Sequence, residues 1–115
     1  MRLPVATHDL LLLFAGPMVW AAHFVLIYGL NGIACARSGS AARWGGLPWE
    51  AWAIVAAGAL AAAVLAACAA ARPRSESEHS RRFVRWTSLA LLALALLAIA
   101  WETMAVLLVP ACSGA

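Results

Sequence analysis

The sequence contains no lysine, and charged residues of any kind make up only 11% of it. A soluble domain of 115 residues needs far more polar surface than this, so water is excluded as the main solvent. Catalytic signatures are missing too. There is no Ser–His–Asp arrangement, no HExxH, no phosphate loop and no nucleotide fingerprint, and the length leaves no room for a separate soluble catalytic module. Neither enzymatic activity nor a bound cofactor is expected. The formal net charge of +3 comes with eight arginines, which gather at the ends of apolar runs and form no basic face. That distribution speaks for membrane topology and against nucleic acid.

What the chain does have is apolar surface: 65% of its residues are hydrophobic and its mean hydropathy is +0.88. Three runs carry it, Leu10 to Ala34, Trp49 to Ala71 and Phe83 to Val109. Each has at least the roughly 20 residues that cross a hydrocarbon core about 30 Å thick at 1.5 Å per residue. Lipid offers no partner for backbone N–H and C=O groups, so an open-ended segment crosses it as a helix. The expected fold is all-α, one integral membrane three-helix bundle over residues 1–115, with transmembrane helices at about 10–34, 49–71 and 83–109.

Arginine asymmetry orients the bundle. The connection 72–85 holds Arg72, Arg74, Arg81, Arg82 and Arg85, whereas 36–48 holds only Arg37 and Arg43. Short Arg-rich loops stay cytoplasmic, and Glu76 and Glu78 weigh little. Arg2 adds a positive charge on the N-terminal side. The N-terminus is thus expected in the cytoplasm and the Ala111–Ala115 tail outside, with Trp44, Trp49 and Trp86 as interfacial anchors. A cleaved or lipidated N-terminus is the competitor, because LNGIAC at Leu30–Cys35 loosely resembles a lipoprotein cleavage site. Gly32 stands where a large aliphatic residue is usual, the run is too long for a signal h-region, and His8 and Asp9 spoil a positive n-region.

Topology gives the cysteines a meaning. Cys35 follows the outer end of helix 1 and Cys112 the outer end of helix 3, both facing a compartment where disulfides persist; Cys68 lies near the inner end of helix 2. A Cys35–Cys112 disulfide stapling helices 1 and 3 is favoured over two unpaired residues. Two outward thiols also suit copper or zinc, but no CxxC spacing or nearby His supports a metal site.

The helices differ in character. Helix 1 carries Pro17, which removes a backbone hydrogen bond and predicts a kink, eased by Gly16. At 100° per residue Gly16, Trp20, His23, Ile27 and Leu30 share a face with Asn31 at its edge, and the polar members turn that face towards protein. Helix 2 has Ala at 13 of the 21 positions from 51 to 71. Ala53, Ala57 and Ala61 form one small-xxx-small row, and Gly58, Ala62, Ala66 and Ala70 another, which suggests close packing against two partners. Alanine bias in a GC-rich genome is the bland account of the same rows. Helix 3 places Glu102 on a face with Leu91, Ala95, Ala98, Val106 and Val109.

Depth links the polar residues. Glu102 lies ten residues before Cys112, about 15 Å inward, and His23 twelve before Cys35, about 18 Å. If the helix ends align, both sit near the bilayer centre. An intramembrane carboxylate costs a few kcal/mol and is usually paired, protonated or functional. A hydrogen bond between His23 and Glu102 is therefore expected. Its role stays open between fixing helix register and proton relay. Metal or haem ligation by His23 is the weakest reading, since His23 and the nearby Met104 make an incomplete ligand set.

Three segments carry a resemblance: GPMVWAAHFVLIYGLNGIAC in helix 1, the Arg82–Phe83 pair that begins helix 3, and WETMAVLLVPAC near the end. Together they resemble small three-helix membrane proteins of proteobacteria encoded near haem–copper cytochrome c oxidases. Members of that group tend to share a Trp-x-x-His pattern, here Trp20 and His23, and two end cysteines, here Cys35 and Cys112. Glu102 departs from the pattern, standing where a less charged residue is expected. The resemblance implies a non-catalytic accessory or assembly subunit of a respiratory complex in the bacterial inner membrane, docked through helix 2. The alternative is a small homo-oligomeric transporter or channel, a holin-like pore being a lesser form, with His23 and Glu102 lining a polar path.

Overall fold

The computed structural model describes residues 4–36, 43–44 and 46–108. Three long helices dominate it: α1 at Val5–Ala36, α2 at Trp49–Ala70 and α3 at Glu78–Leu108. A two-residue antiparallel pair, β1 at Arg43–Trp44 and β2 at Leu47–Pro48, lies between α1 and α2 with Trp44 opposite Leu47. Gly46 turns this pair at φ 85°, a left-handed conformation that side chains oppose.

Two helices run past the apolar segments that define them. At 1.5 Å per residue α1 and α3 measure about 48 and 46 Å, well beyond a hydrocarbon core, while α2 at about 33 Å just spans one. α1 begins at Val5 instead of near residue 10, its first turn closed by the His8 amide on the Pro4 carbonyl at 3.0 Å. α3 begins at Glu78 instead of near 83. Ser77 caps it, its Oγ accepting from the Ser80 amide at 3.4 Å while its carbonyl accepts from the Arg81 amide at 2.9 Å. The polar stretch EHSRR is thus helical, and the connection between α2 and α3 shrinks to residues 71–77.

All three helices are long and apolar enough to cross a membrane. Only 22%, 17% and 17% of their most apolar windows are buried, so most of that surface faces outward. Leu, Phe, Val and Trp side chains such as Phe14, Phe24, Val25, Leu60, Leu97 and Trp101 lie exposed around the bundle. In water such a surface would aggregate; in lipid it is the solvated face.

α1 shares its longest interface with α3, then with α2. Gly16 explains the first contact. A Cβ built there would stand 2.9 Å from the Leu91 carbonyl oxygen and 3.1 Å from the Leu92 nitrogen, so only glycine lets the two backbones meet. Below this crossing Ala61, Leu65, Leu92, Ala95 and Ile99 form a buried cluster. On α2 the inward line is Ala51, Ile54, Ala61 and Leu65. Ala53, Ala57, Gly58 and Ala62 are half-buried beside it, whereas Ala66 and Ala70 are exposed.

Candidate functional site

Two carboxylates are embedded in the bundle, one at each of two levels. The deeper is Glu102 on α3. Its Oε1 accepts from the Trp20 indole N–H at 2.7 Å, and its Oε2 lies 3.2 Å from His23 Nδ1. Trp20 and His23 are three residues apart on α1, hence on one face, and their side chains reach the same carboxylate from neighbouring turns. His23 is 3% exposed, the Glu102 side chain 19% and Trp20 38%. The group therefore runs from the sealed interior to the flank of the bundle. From Trp20 the aromatic rings of Phe24 and Tyr28 continue outward along α1, with centroids 6.0 and 6.2 Å apart in turn.

The second ring nitrogen of His23 faces α2. Its Nε2 is fully buried and has no hydrogen-bond partner among the described residues. A Cβ placed on Gly58 would lie 3.9 Å from Nε2 and 3.2 Å from Thr103 Oγ1. Gly58 thus forms a notch against which His23 and Thr103 both abut. The Thr103 hydroxyl donates to the Ile99 carbonyl at 2.8 Å, which leaves its oxygen lone pairs to accept. The side chains that meet Gly58 thus bring one ring nitrogen and one hydroxyl oxygen together. Among the described residues no three His, Cys, Asp or Glu side chains gather as a metal set.

The other carboxylate is Asp9, near the start of α1 and 5% exposed. It accepts from two consecutive backbone amides of the α2–α3 connection, Arg74 at 2.8 Å and Ser75 at 3.1 Å, and from the Ser75 hydroxyl. His8 Nδ1 adds a contact at 3.2 Å. Arg81 clamps the same connection from α3, its guanidinium donating to the carbonyls of Ser75 at 3.2 Å and Glu76 at 3.1 Å. Sequence reasoning missed this clasp, treating Asp9 only as a flaw in a signal peptide.

The remaining expected site residues are dispersed. Asn31 lies two turns beyond His23; it is half-buried with its Oδ1 unpartnered among the described residues, and it does not join the pair. Cys68 is a free thiol, half-buried on α2. Cys35, at the end of α1, is half-buried and engaged. Cys112 and Val109 lie outside the described residues, as does the tail after them. Ala53, Ala57 and Ala61 edge the interface of α2, with Gly58 and Ala62 alongside, and Ala66 faces outward. Trp20 was legible as part of the His23 face, but its bond to Glu102 was not foreseen.

No protein-family profile, curated protein or solved structure matches this chain. The geometry alone defines what it is: a three-helix bundle of membrane-spanning dimensions with an internal His–Glu–Trp group.

Proposed function

We propose that the chain is a non-catalytic accessory or assembly subunit of a larger bacterial membrane complex, a respiratory terminal oxidase. The observation that carries the need for a partner is the incomplete cover over Glu102. A carboxylate deep in a membrane costs a few kcal/mol unless it is shielded, and this chain leaves 19% of the side chain open at the flank beside Trp20. A neighbouring protein surface seated on that flank removes the exposure. The exposed Ala66 and Ala70 give α2 a second place where another helix backbone can approach closely. The oxidase as partner rests on the resemblance of the Trp20–His23, Arg82–Phe83 and Trp101–Cys112 segments.

In this reading the N-terminus and the 71–77 connection lie in the cytoplasm and the 36–48 connection in the periplasm, the bundle sitting in the inner membrane. Asp9 ties the N-terminal end to the arginine-rich connection, so one end of the bundle carries Arg72, Arg74, Arg81, Arg82 and Arg85 together. Cys35 and Cys112 form a disulfide at the opposite end; Cys68 is free, and it is the one other cysteine of the chain.

Purification of the tagged native protein in a gentle detergent, followed by a visible spectrum, tests the partner. A haem Soret band that leaves with larger polypeptides on a harsher wash is the expected result. A homo-oligomer with no other polypeptide and no haem overturns the accessory role in favour of the transporter or channel.

A further inference from the structure

We propose that the first turns of α3 bind the phosphate of an anionic glycerophospholipid, with Arg82 and His79 at the headgroup and Phe83 and Trp86 beside the upper acyl chains. The inference needs the bundle in a bilayer, but neither its orientation nor any protein partner.

The positive charge at this end is not used up within the chain. Residues 72–85 hold five arginines against Glu76, Glu78 and the clasped Asp9. Arg81 is committed to the Ser75 and Glu76 carbonyls. Arg82 and Arg85 are exposed, and their guanidinium groups have no hydrogen bond or ion pair among the described residues.

Helical phase then selects Arg82. The buried line of α3 is Val84, Ser88, Leu92, Ala95 and Ile99. At 100° per residue His79, Phe83, Trp86 and Leu97 point away from that line, with Arg82 beside them, whereas Arg85 leans back towards it. Phe83, Trp86 and Leu97 are accordingly exposed. The outward strip thus reads cation, aromatic, aliphatic along its length. Arg82 lies four residues before Trp86, about 6 Å further out. Phosphate, interface and acyl chain follow in the same order in a phospholipid leaflet, where aromatic side chains mark the middle level.

A recess gives the phosphate a place. Glu78, His79 and Arg82 line a surface depression of about 260 Å³. That is below the roughly 300–1,000 Å³ of clefts that enclose drug-sized ligands, so it admits a headgroup and leaves the chains along the helix. Arg82 brings the planar fork that matches two phosphate oxygens, and His79 a ring N–H. Glu78 opposes an anion, but the surrounding arginines outnumber the carboxylates and set the sign. A zwitterionic headgroup carries its own ammonium, so this field selects an anionic lipid.

The test places the full chain in phosphatidylcholine vesicles containing phosphatidylglycerol brominated on its acyl chains, which quenches tryptophan on contact. At equal mole fraction it should quench more than brominated phosphatidylcholine, and Trp86→Phe should remove the excess. Arg82→Gln should lower the preference about fivefold, the effect of one basic residue beside an anionic membrane. Arg72→Gln, outside the depression, should lower it less, and Glu78→Gln should raise it. Equal quenching by the two lipids overturns the proposal, and that wild-type comparison stands even where a variant does not fold. An excess that survives Trp86→Phe overturns it too, as does a fall in Glu78→Gln. Equal losses in Arg72→Gln and Arg82→Gln mean a diffuse charged end with no site. Displacement by inorganic phosphate at matched ionic strength assigns the depression to a free anion and overturns the lipid.

Discussion

Asp9 and Glu102 are both carboxylates enclosed by the bundle, yet they are built for opposite ends. Asp9 meets a full set of donors, two of them backbone amides that cannot turn away. It sits near the start of α1 and holds the α2–α3 connection in place. Glu102 is met by two side chains of another helix, and one of these, His23, keeps a polar atom without a partner among the described residues. A satisfied site resists change, whereas one that leaves a ring nitrogen without a partner among the described residues is less firmly fixed.

The sharpest way to break that contrast is to remove each carboxylate and compare stabilities. Asp9→Ala leaves the Arg74 and Ser75 amides and the Ser75 hydroxyl without their acceptor, and should lower stability by about 3 kcal/mol, at about 1 kcal/mol net for each of the three bonds. Reversible unfolding in mixed micelles measures it. A loss below that of Trp20→Phe would reverse the proposed roles.

Gly16→Ala comes next. Its Cβ would meet the backbone of Leu91, which cannot rotate aside, so α1 and α3 must separate, at about 2 kcal/mol, as for other overpacked contacts. Because Gly16 lies between the two sites, cross-linking across α1 and α3 should report a wider spacing at both. Widening at one alone would show that the sites are mechanically independent.

Trp20→Phe removes the indole donor and keeps an aromatic ring. Interhelical hydrogen bonds in membranes are worth little, so the loss should be about 1 kcal/mol. The larger consequence falls on His23, left as the one remaining side-chain contact of Glu102 among the described residues, whose ring nitrogen resonances should shift in nitrogen NMR of the full chain in lipid nanodiscs. Ser75→Ala is the smallest change, about 0.5 kcal/mol, because the two amides still bind Asp9. Proteolysis within 71–77 should remain slow in this variant and become fast in Asp9→Ala.

The sequence displays these two carboxylates unequally. Glu102 is conspicuous because a charge inside an apolar run has few innocent explanations, and counting back from the helix ends brings it level with His23. Asp9 borders an apolar run, where a charge is ordinary, and its partners are backbone amides 65 and 66 residues away that no side-chain pattern announces. The helices follow the same logic. Their apolar cores are plain in the hydropathy, but the polar first turns of α1 and α3 carry no hydropathy signal. The start of α3 was written instead in the capping residue Ser77 and the acidic Glu78 behind it. The contact at Gly16 had been weighed only as an aid to a kink at Pro17, because a glycine's neighbour across an interface is invisible from its own helix.

That contact has a mechanical consequence. Gly16 is seven residues from Asp9 and seven from His23, about 10.5 Å in either direction along α1. One close backbone contact thus stands midway between the Asp9 clasp and the His23–Glu102 pair, so the spacing of α1 and α3 that it sets is common to both.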